Sequence, residues 1–164
     1  MRRLLTNGLV VFAGVVVLPA RVADLPQPRP QYREDPRLQA LRKFFRINSS
    51  PAEHYSEEFL KAADAQRLDW RLLPSISLVE SGGGRVANEN NLFGWDSGRA
   101  TFRTVADSIH HVAFSLSQSR LYKDKSLDHK LRVYNRDTSY GPLVKSVMRK
   151  IGSTPRLSTS SRHQ

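Results

Sequence analysis

The chain contains no cysteine among its 164 residues. This absence excludes disulfide bonds, thiolate nucleophiles and zinc sites built from cysteine. It does not identify a compartment, because many exported bacterial proteins also lack cysteine. Any reactive group must therefore come from carboxylates, hydroxyls, amines or imidazoles.

Signatures of metal and cofactor sites are also missing. The chain has five histidines, and the adjacent His110 and His111 would point about 100° apart on a helix, without a partner at i+3 or i+4. Gly82-Gly83-Gly84 follows a helical pattern rather than a strand, so it is neither a dinucleotide fingerprint nor a phosphate-binding loop. No Ser-His-Asp signature is visible. We expect no metal and no cofactor.

Long apolar runs are scarce, and the longest lies at the N-terminus. Gly8 to Leu18 is apolar over eleven residues, short of the roughly 20 that a membrane-spanning helix needs. Arg2 and Arg3 precede the run, and Pro19-Ala20 follows it with a small residue at a cleavage position. Residues 1–20 are therefore predicted to be an export signal, with an uncleaved N-terminal anchor as the main alternative.

Acidic residues are outnumbered, with 15 Asp+Glu against 26 Lys+Arg and a net charge of +11. Removing residues 1–20 takes away two arginines and no acid, so 24 against 15 remain, or +9. Outside the cytoplasm such a protein is attracted to anionic wall polymers or to a membrane surface. A role of the charge in solubility alone is equally compatible. Nucleic acid is not an expected partner, because the basic residues are scattered without interleaved aromatics.

Composition divides the rest of the chain into three segments. Residues 21–36 hold four prolines among polar residues, which is typical of a linker. Residues 37–152 carry the helical patterns of one domain, and residues 153–164, rich in Ser, Thr and Arg, are predicted to be disordered. Residues 37–47 form a basic amphipathic piece, either a helix docked on the domain or a membrane-surface segment.

Capping residues and apolar periodicity predict a series of helices. They begin at Ser50, near Leu72, at Thr104, at Ser126 and at Tyr140; the first ends near Leu68, the fourth near Tyr134 and the last at Gly152. Between Ala87 and Phe102 the helical period is lost, and apolar residues on both sides of Asp96-Ser97-Gly98 predict a short hairpin. The predicted fold is mainly α, a helical bundle with one short β-hairpin beside a cleft.

Glu80 has an unusual position at the end of the helix that starts near Leu72. It continues the apolar stripe of Leu73 and Ile76, so the helix carries a carboxylate to its C-terminal end on a buried face. The helix dipole disfavours an anion there, and burial adds a desolvation cost. Both effects favour the protonated acid, which is the requirement for a general acid near neutral pH. The alternative is a carboxylate that frays into solvent.

Three short segments, taken in their order along the chain, resemble the motifs of the glucosaminidase family. This family is the mannosyl-glycoprotein endo-β-N-acetylglucosaminidase-like domain of the lysozyme-like superfamily. The three segments are Glu80-Ser81-Gly82 at a helix end, Asn90-Asn91-Leu92-Phe93-Gly94, and Tyr140 at the start of the last helix. The resemblance covers roughly residues 55–151. It implies a lysozyme-like α+β fold, cleavage of the peptidoglycan glycan backbone, and Glu80 as the proton donor.

The resemblance leaves the second catalytic group open. Glu89, Asp96 and Asp137 all lie in predicted loops, and each is more typical of a solvated loop charge. If a second carboxylate takes part, Asp96 is the best candidate, because the hairpin of lysozyme-like folds borders the cleft. In these families the substrate's own acetamido group can serve instead, held by a tyrosine. Tyr140 matches the family tyrosine, whereas Tyr134-Asn135 resembles a motif of lytic transglycosylases.

The other candidate substrate-binding residues flank Glu80 or lie in the loop. We expect Phe93 to point inward and Trp95 to lie nearer the cleft, where it could stack on a sugar. Asn91 could bond either the loop backbone or an N-acetyl group, and Ser81 could support the acid or the substrate. Either of the tyrosines could instead be a core residue.

The leading functional hypothesis is a monomeric, exported hydrolase of peptidoglycan glycan strands, located in the periplasm or outside the cell. A lytic transglycosylase is the nearest enzymatic alternative: it uses the same single acid but attack by the sugar's own 6-hydroxyl. A non-catalytic wall-binding module is the alternative from another class.

Overall fold

The computed structural model describes residues 32–152. These residues belong to the second of two compact units, Gln31–Gln164. The predicted signal of residues 1–20, residues 21–31 of the predicted linker and the predicted tail of residues 153–164 lie outside the described residues.

The described part of the chain is mainly helical, as the sequence predicts. Its α-helices are α1 (Pro36–Ile47), α2 (Ser56–Ala65), α3 (Leu72–Ser81), α4 (Val105–Gln118), α5 (Leu127–Tyr134) and α6 (Tyr140–Gly152). Two 3₁₀ turns, Tyr32–Glu34 and Pro51–Tyr55, precede α1 and α2. None of these helices in residues 32–152 is long and apolar enough to cross a membrane.

The predicted N-caps form at the expected residues. Ser50 accepts from the Ala52 N–H, and Ser126 accepts from the His129 N–H. Thr104 and Asp107 complete a reciprocal capping box at the start of α4. The helix starts are thus determined by short-range hydrogen bonds that can be read from the sequence. The helical segment that follows the Ser50 cap, made of the 3₁₀ turn Pro51–Tyr55 and α2, ends at Ala65. This is three residues before the predicted end near Leu68.

Helix α1 docks on the domain rather than standing apart. Its apolar face is buried, at Leu38, Leu41, Phe44 and Phe45. The folded unit also includes residues that the composition assigned to the linker. The Tyr32 hydroxyl donates to Asp64 at 3.0 Å, and Arg37 bridges Asp35 and Asp64. These contacts tie the segment before α1 to the end of α2.

Helix α3 is the central element of the bundle, in contact with α2, α4 and α6. Its sequence is apolar or small on nearly all sides, as expected for a helix enclosed by others. A row of phenylalanine rings, Phe45, Phe59 and Phe93, belongs to the same buried core, with centroids 5.4 and 6.3 Å apart. The rigid packing of α3 fixes the position of the residues at its C-terminal end, including Glu80.

The predicted hairpin is not present in residues 87–102. This described segment contains a single antiparallel bridge, between Asn88 and Asn91, and otherwise turns. Six of its residues have positive φ from 49° to 79°: Glu89, Asn90, Gly94, Asp96, Ser97 and Gly98. Positive φ at Glu89, Asn90 and Gly94, outside the Asp96-Ser97-Gly98 turn, interrupts the extended backbone that a paired strand needs. Side-chain amides satisfy the carbonyl groups instead.

Candidate functional site

The site begins where α3 ends. Gly82 adopts the left-handed conformation at φ 64°, and its N–H and that of Gly83 bond the carbonyls of Leu78 and Ser77. Glu80 therefore lies in the last turn of the helix. Its neighbour Ser81 is buried and points elsewhere: its hydroxyl donates to the Leu92 carbonyl at 2.7 Å and accepts from the Gly84 N–H. Ser81 ties the helix end to the following loop.

The Glu80 carboxyl is half-buried between α6 and the loop. Burial raises its pKa above the ordinary value of 4.5, and a hydrogen-bonding interaction with Tyr140 opposes part of that rise. On the loop side the carboxyl lies against the backbone of Gly94: a Cβ atom added to this glycine would be 3.0 Å from Glu80 Oε2. Glu80 thus has the increased proton affinity that the sequence predicts for it.

Tyr134 and Tyr140 stack beside the acid, with ring centroids 5.8 Å apart and planes 5° apart. The Tyr134 hydroxyl donates to the Phe93 carbonyl at 2.5 Å. Burial, followed by the nearby Glu80 charge, raises the pKa of Tyr134 well above its ordinary value of 10.0. Burial and the interaction with Glu80 do the same for Tyr140. Both hydroxyls are therefore neutral at physiological pH.

The Tyr140 hydroxyl has a special position. It is buried, and among the described residues it makes no hydrogen bond of standard geometry. It nevertheless lies close enough to Glu80 that each group shifts the pKa of the other. The interaction is therefore weaker than a full hydrogen bond in the free protein. A buried donor without a full partner can bond a ligand that enters the site.

An open cavity of about 420 Å³ is lined by two neighbours of the acid, although Glu80 itself is not among its lining residues. Gly94 and Tyr134, both neighbours of Glu80, belong to its lining, together with Trp95, Asp96, Ser97, Leu121 and Tyr122. The half-buried Trp95 ring packs 5.7 Å from Tyr134 and 6.2 Å from Tyr122. Aromatic faces at a cleft edge suit the stacking of sugar rings. Trp95 thus lines this cavity, and its binding of a sugar stays a prediction.

Asn91 holds the loop that carries Trp95. Its side chain is buried, donates to the carbonyls of Trp95 and Ala100, and accepts from the N–H groups of Phe93 and Trp95. Of the two roles that the sequence left open, the structure shows the bonds to the loop backbone. Phe93 is fully buried, which confirms its expected inward direction.

The candidate second carboxylate is already engaged. Asp96 is exposed on the cavity rim, where Arg99 donates to its Oδ1 at 2.8 Å. Asp137 Oδ1 accepts from both the N–H and the hydroxyl of Ser139 at the start of α6. Glu89 is exposed in a turn at φ 49°. Asp137 and Glu89 match the description of loop charges.

Sequence reasoning assigned no role to two residues of the site. Gly94 belongs to a quoted motif, but only the structure shows its backbone against Glu80. Tyr122 is 7% exposed and lines the cavity from the turn after α4. No periodic pattern marks Tyr122, so its place could not be read from the sequence.

The histidines take part in other contacts. His110 bonds Glu58 at 3.0 Å, while His111 packs against Trp95 and Phe102 with centroids 5.9 and 5.4 Å away. Within residues 32–152 no group of three or more His, Asp or Glu could hold a metal ion.

Comparison of the sequence with protein-family models and with curated proteins finds no significant match. The chemistry of the site therefore rests on its own geometry. That geometry combines a carboxyl of increased proton affinity, two neutral tyrosine hydroxyls and an open aromatic cavity.

Proposed function

We propose that this protein cleaves the glycan backbone of peptidoglycan, with Glu80 as the general acid. One observation carries the proposal: Glu80 has a raised pKa, and its neighbours Gly94 and Tyr134 line an open cavity with aromatic walls. The other carboxyls with shifted pKa values in residues 32–152 have lowered ones, for example Asp69 and Glu58. The order of helices, with the acid at the end of an enclosed helix, supports a lysozyme-like fold in which a coiled loop replaces the hairpin.

In this mechanism a sugar strand binds along the cavity with one ring against Trp95. Protonated Glu80 donates to the glycosidic oxygen, and the leaving sugar departs as positive charge develops on the other ring. The neutral Tyr140 hydroxyl can donate to the substrate or to the carboxylate that Glu80 becomes. The substrate's own acetamido group stabilises the cationic carbon, after which water completes an endo-β-N-acetylglucosaminidase reaction.

A lytic transglycosylase is the second candidate, and the scarcity of carboxylates in the cavity lining favours it. Asp96 is the one carboxylate in the cavity lining, and it is paired with Arg99. A reaction that needs a single acid suits this arrangement, because the sugar's 6-hydroxyl replaces activated water. Tyr134 at the end of α5, followed by Asn135, agrees with that reading.

Digestion of purified sacculi tests the proposal. The full chain should release soluble muropeptides, whereas Glu80→Gln should lose about 10²–10⁴-fold in rate, since glutamine cannot donate the proton. Glu34→Gln, at an exposed carboxyl, removes the same charge and should retain full activity. Mass analysis then assigns the reaction: reducing ends indicate the hydrolase, and anhydro-muramyl ends the transglycosylase.

A non-catalytic wall-binding module is the outcome if sacculi bind the protein but release nothing. In that case Glu80→Gln would bind as tightly as the unaltered chain and no digestion would occur with either. A Glu80→Gln variant that keeps more than about a tenth of the activity would remove Glu80 from the mechanism.

We also propose that the protein acts outside the cytoplasm as a monomer. The support for export is the apolar run of residues 8–18 behind two arginines. Fractionation of cells should recover the chain in the envelope or medium, and deletion of residues 1–20 should retain it in the cytoplasm. Sedimentation of the recovered protein gives its oligomeric state.

A further inference from the structure

The net charge of the described domain is concentrated in its last three elements. Residues 32–117 carry eleven Lys+Arg and eleven Asp+Glu, so this part has no net charge. Residues 118–152 carry nine Lys+Arg and three Asp+Glu, which leaves +6. The turn after α4, together with α5 and α6, therefore provides the attraction of the folded domain for anions.

A second cavity, separate from the aromatic one, lies within this basic segment at the junction of α5 and α6. It has a volume of about 340 Å³, and two arginines, Arg132 and Arg136, line it. The remaining lining residues are Asp128, Asp137, Thr138, Gly141 and Pro142. Each guanidinium presents a planar fork of N–H donors, and such a fork suits carboxylate or phosphate oxygens.

The acids of this cavity are engaged by other groups. Lys145 bridges Asp128 at 2.7 Å. The Asp137 carboxylate accepts two hydrogen bonds from Ser139. Among the ion pairs within residues 32–152, neither Arg132 nor Arg136 takes part. Two arginines and Lys145 against two aspartates leave an excess positive charge at the cavity.

The arginine cavity and the aromatic cavity have no lining residue in common, but one short connection links them along the chain. The connection of residues 135–139 joins Tyr134, which lines the aromatic cavity, to Tyr140, which faces Glu80. Arg136 lies in this connection, and Gly141 follows Tyr140 directly. A peptide carried by a strand at Glu80 would reach the arginines by way of this connection.

We propose that Arg132 and Arg136 bind a free carboxylate of a peptidoglycan stem peptide. The proposal rests on the proposed function, because it takes the strand at Glu80 to be peptidoglycan, whose alternate sugars carry peptides with free carboxylates. The small concave cavity suits a single anionic group rather than the flat surface of a bilayer. The protein would thereby select peptide-bearing glycan over bare chitin-like strands.

The test measures three ligands by calorimetry with the full chain. The first is a synthetic stem peptide with free carboxylates, the second is the same peptide amidated at its carboxyl groups, and the third is a peptide-free glycan fragment. The unaltered chain should bind the free-acid peptide about tenfold more tightly than the amidated one, the factor that one charged hydrogen bond supplies. The Arg132→Gln/Arg136→Gln variant should lose this difference and keep its affinity for the glycan.

Two variants serve as controls. Arg33→Gln/Arg42→Gln removes two exposed charges from the neutral part of the chain and should keep the discrimination between peptides. Arg132→Lys/Arg136→Lys keeps the charge but not the planar fork, and it should retain only part of the discrimination. If the glutamine variant fails to fold, the partial loss of peptide discrimination in the lysine variant tests the arginine site instead.

The outcomes separate this inference from the proposed function. Equal binding of the two peptides by the unaltered chain, or an equal loss in the Arg33/Arg42 variant, overturns the arginine site while glycan binding stands. Discrimination of the peptides without glycan binding upholds the arginine site and rejects the function proposed for the cleft. Weaker binding of the glutamine variant to phosphatidylglycerol vesicles, without peptide discrimination, would assign the cavity to phosphate and overturn the proposal.

Discussion

The backbone of Gly94 closes over the Glu80 carboxyl: a Cβ at position 94 would lie 3.0 Å from Glu80 Oε2. Gly94 also has a φ of 57°. Its lack of a side chain therefore serves two purposes, since it permits the turn and leaves room for the acid. The two effects can be separated, because Gly98 has a φ of 79° with nothing within 4 Å of its Cβ position.

We expect Gly94→Ala to impair both stability and turnover. The left-handed backbone costs an alanine about 1–2 kcal/mol, and the new methyl group would displace the carboxyl. Gly98→Ala should lose similar stability and keep its turnover. Thermal melting and muropeptide release measure the two effects. Equal turnover in both variants would show that the position of Glu80 tolerates displacement.

The stability of Glu80→Gln relative to the unaltered chain should depend on pH. Burial holds the folded pKa of Glu80 above its ordinary 4.5, so the folded state binds this proton more tightly than the unfolded state. Below pH 4.5 the acid is protonated in both states and the variant should gain nothing. As pH rises through the folded pKa, the unaltered chain loses stability and the variant should melt at a higher temperature. The turnover of the unaltered chain should fall over the same range.

Glu58 supplies a control of opposite sign. Burial, which raises its pKa, is outweighed by hydrogen bonds from His110 and Lys61, so the pKa of Glu58 is lowered. Glu58→Gln should therefore be less stable than the unaltered chain at neutral pH, with the gap closing in acid. Parallel shifts of the two variants with pH would contradict the assignment of Glu80.

Tyr140→Phe should move the basic limb of the pH–rate profile to higher pH. The Tyr140 hydroxyl lowers the pKa of Glu80 against the effect of burial, and its removal leaves burial unopposed. Stability should change little, because the hydroxyl lacks a full partner. Tyr134→Phe, in contrast, deprives the Phe93 carbonyl of its donor and should cost about 1 kcal/mol. If the basic limb of the pH–rate profile of Tyr140→Phe stays at the same pH, Tyr140 does not influence the pKa of Glu80.

Asn91→Ala should destabilise the loop from the inside. The change leaves buried carbonyl and N–H groups without partners, at a cost of about 1–3 kcal/mol. Asn90→Ala removes bonds to the carbonyls of Phe102 and Arg103 on the exposed side and should cost less. Unfolding by urea compares the free energies of unfolding of the two variants. A larger loss of stability in Asn90→Ala would show that Asn90, and not Asn91, is the main support of the loop.

Amide exchange should be faster in residues 82–102 than in residues 104–118. The first range lacks regular helix and the second lies mostly in α4. Chitooligosaccharide or wall fragments should slow exchange in the loop, since it borders the aromatic cavity. Equal protection of both ranges with no response to ligand would contradict a role for the loop in binding.

Much of the helical framework could be predicted from the sequence, because its determinants are local. The capping residues Ser50, Thr104 and Ser126 bond N–H groups two or three residues away. The apolar period identifies the buried face of each helix, and that period also placed Glu80 at the end of a buried stripe. The sequence further determined the lack of thiol chemistry and the excess of positive charge.

Only the tertiary structure decided the conformation of the loop and the composition of the site. The amide groups of Asn90 and Asn91 reach carbonyls nine to thirteen residues away, and their bonds coil a segment whose pattern alone predicted a hairpin. The stacking of Tyr134 on Tyr140, the approach of Gly94 to Glu80 and the pairing of Asp96 depend on how helices pack and turns close. Side-chain periodicity specifies which face of an element is buried, but the partner that covers it is set by contacts between distant parts of the chain.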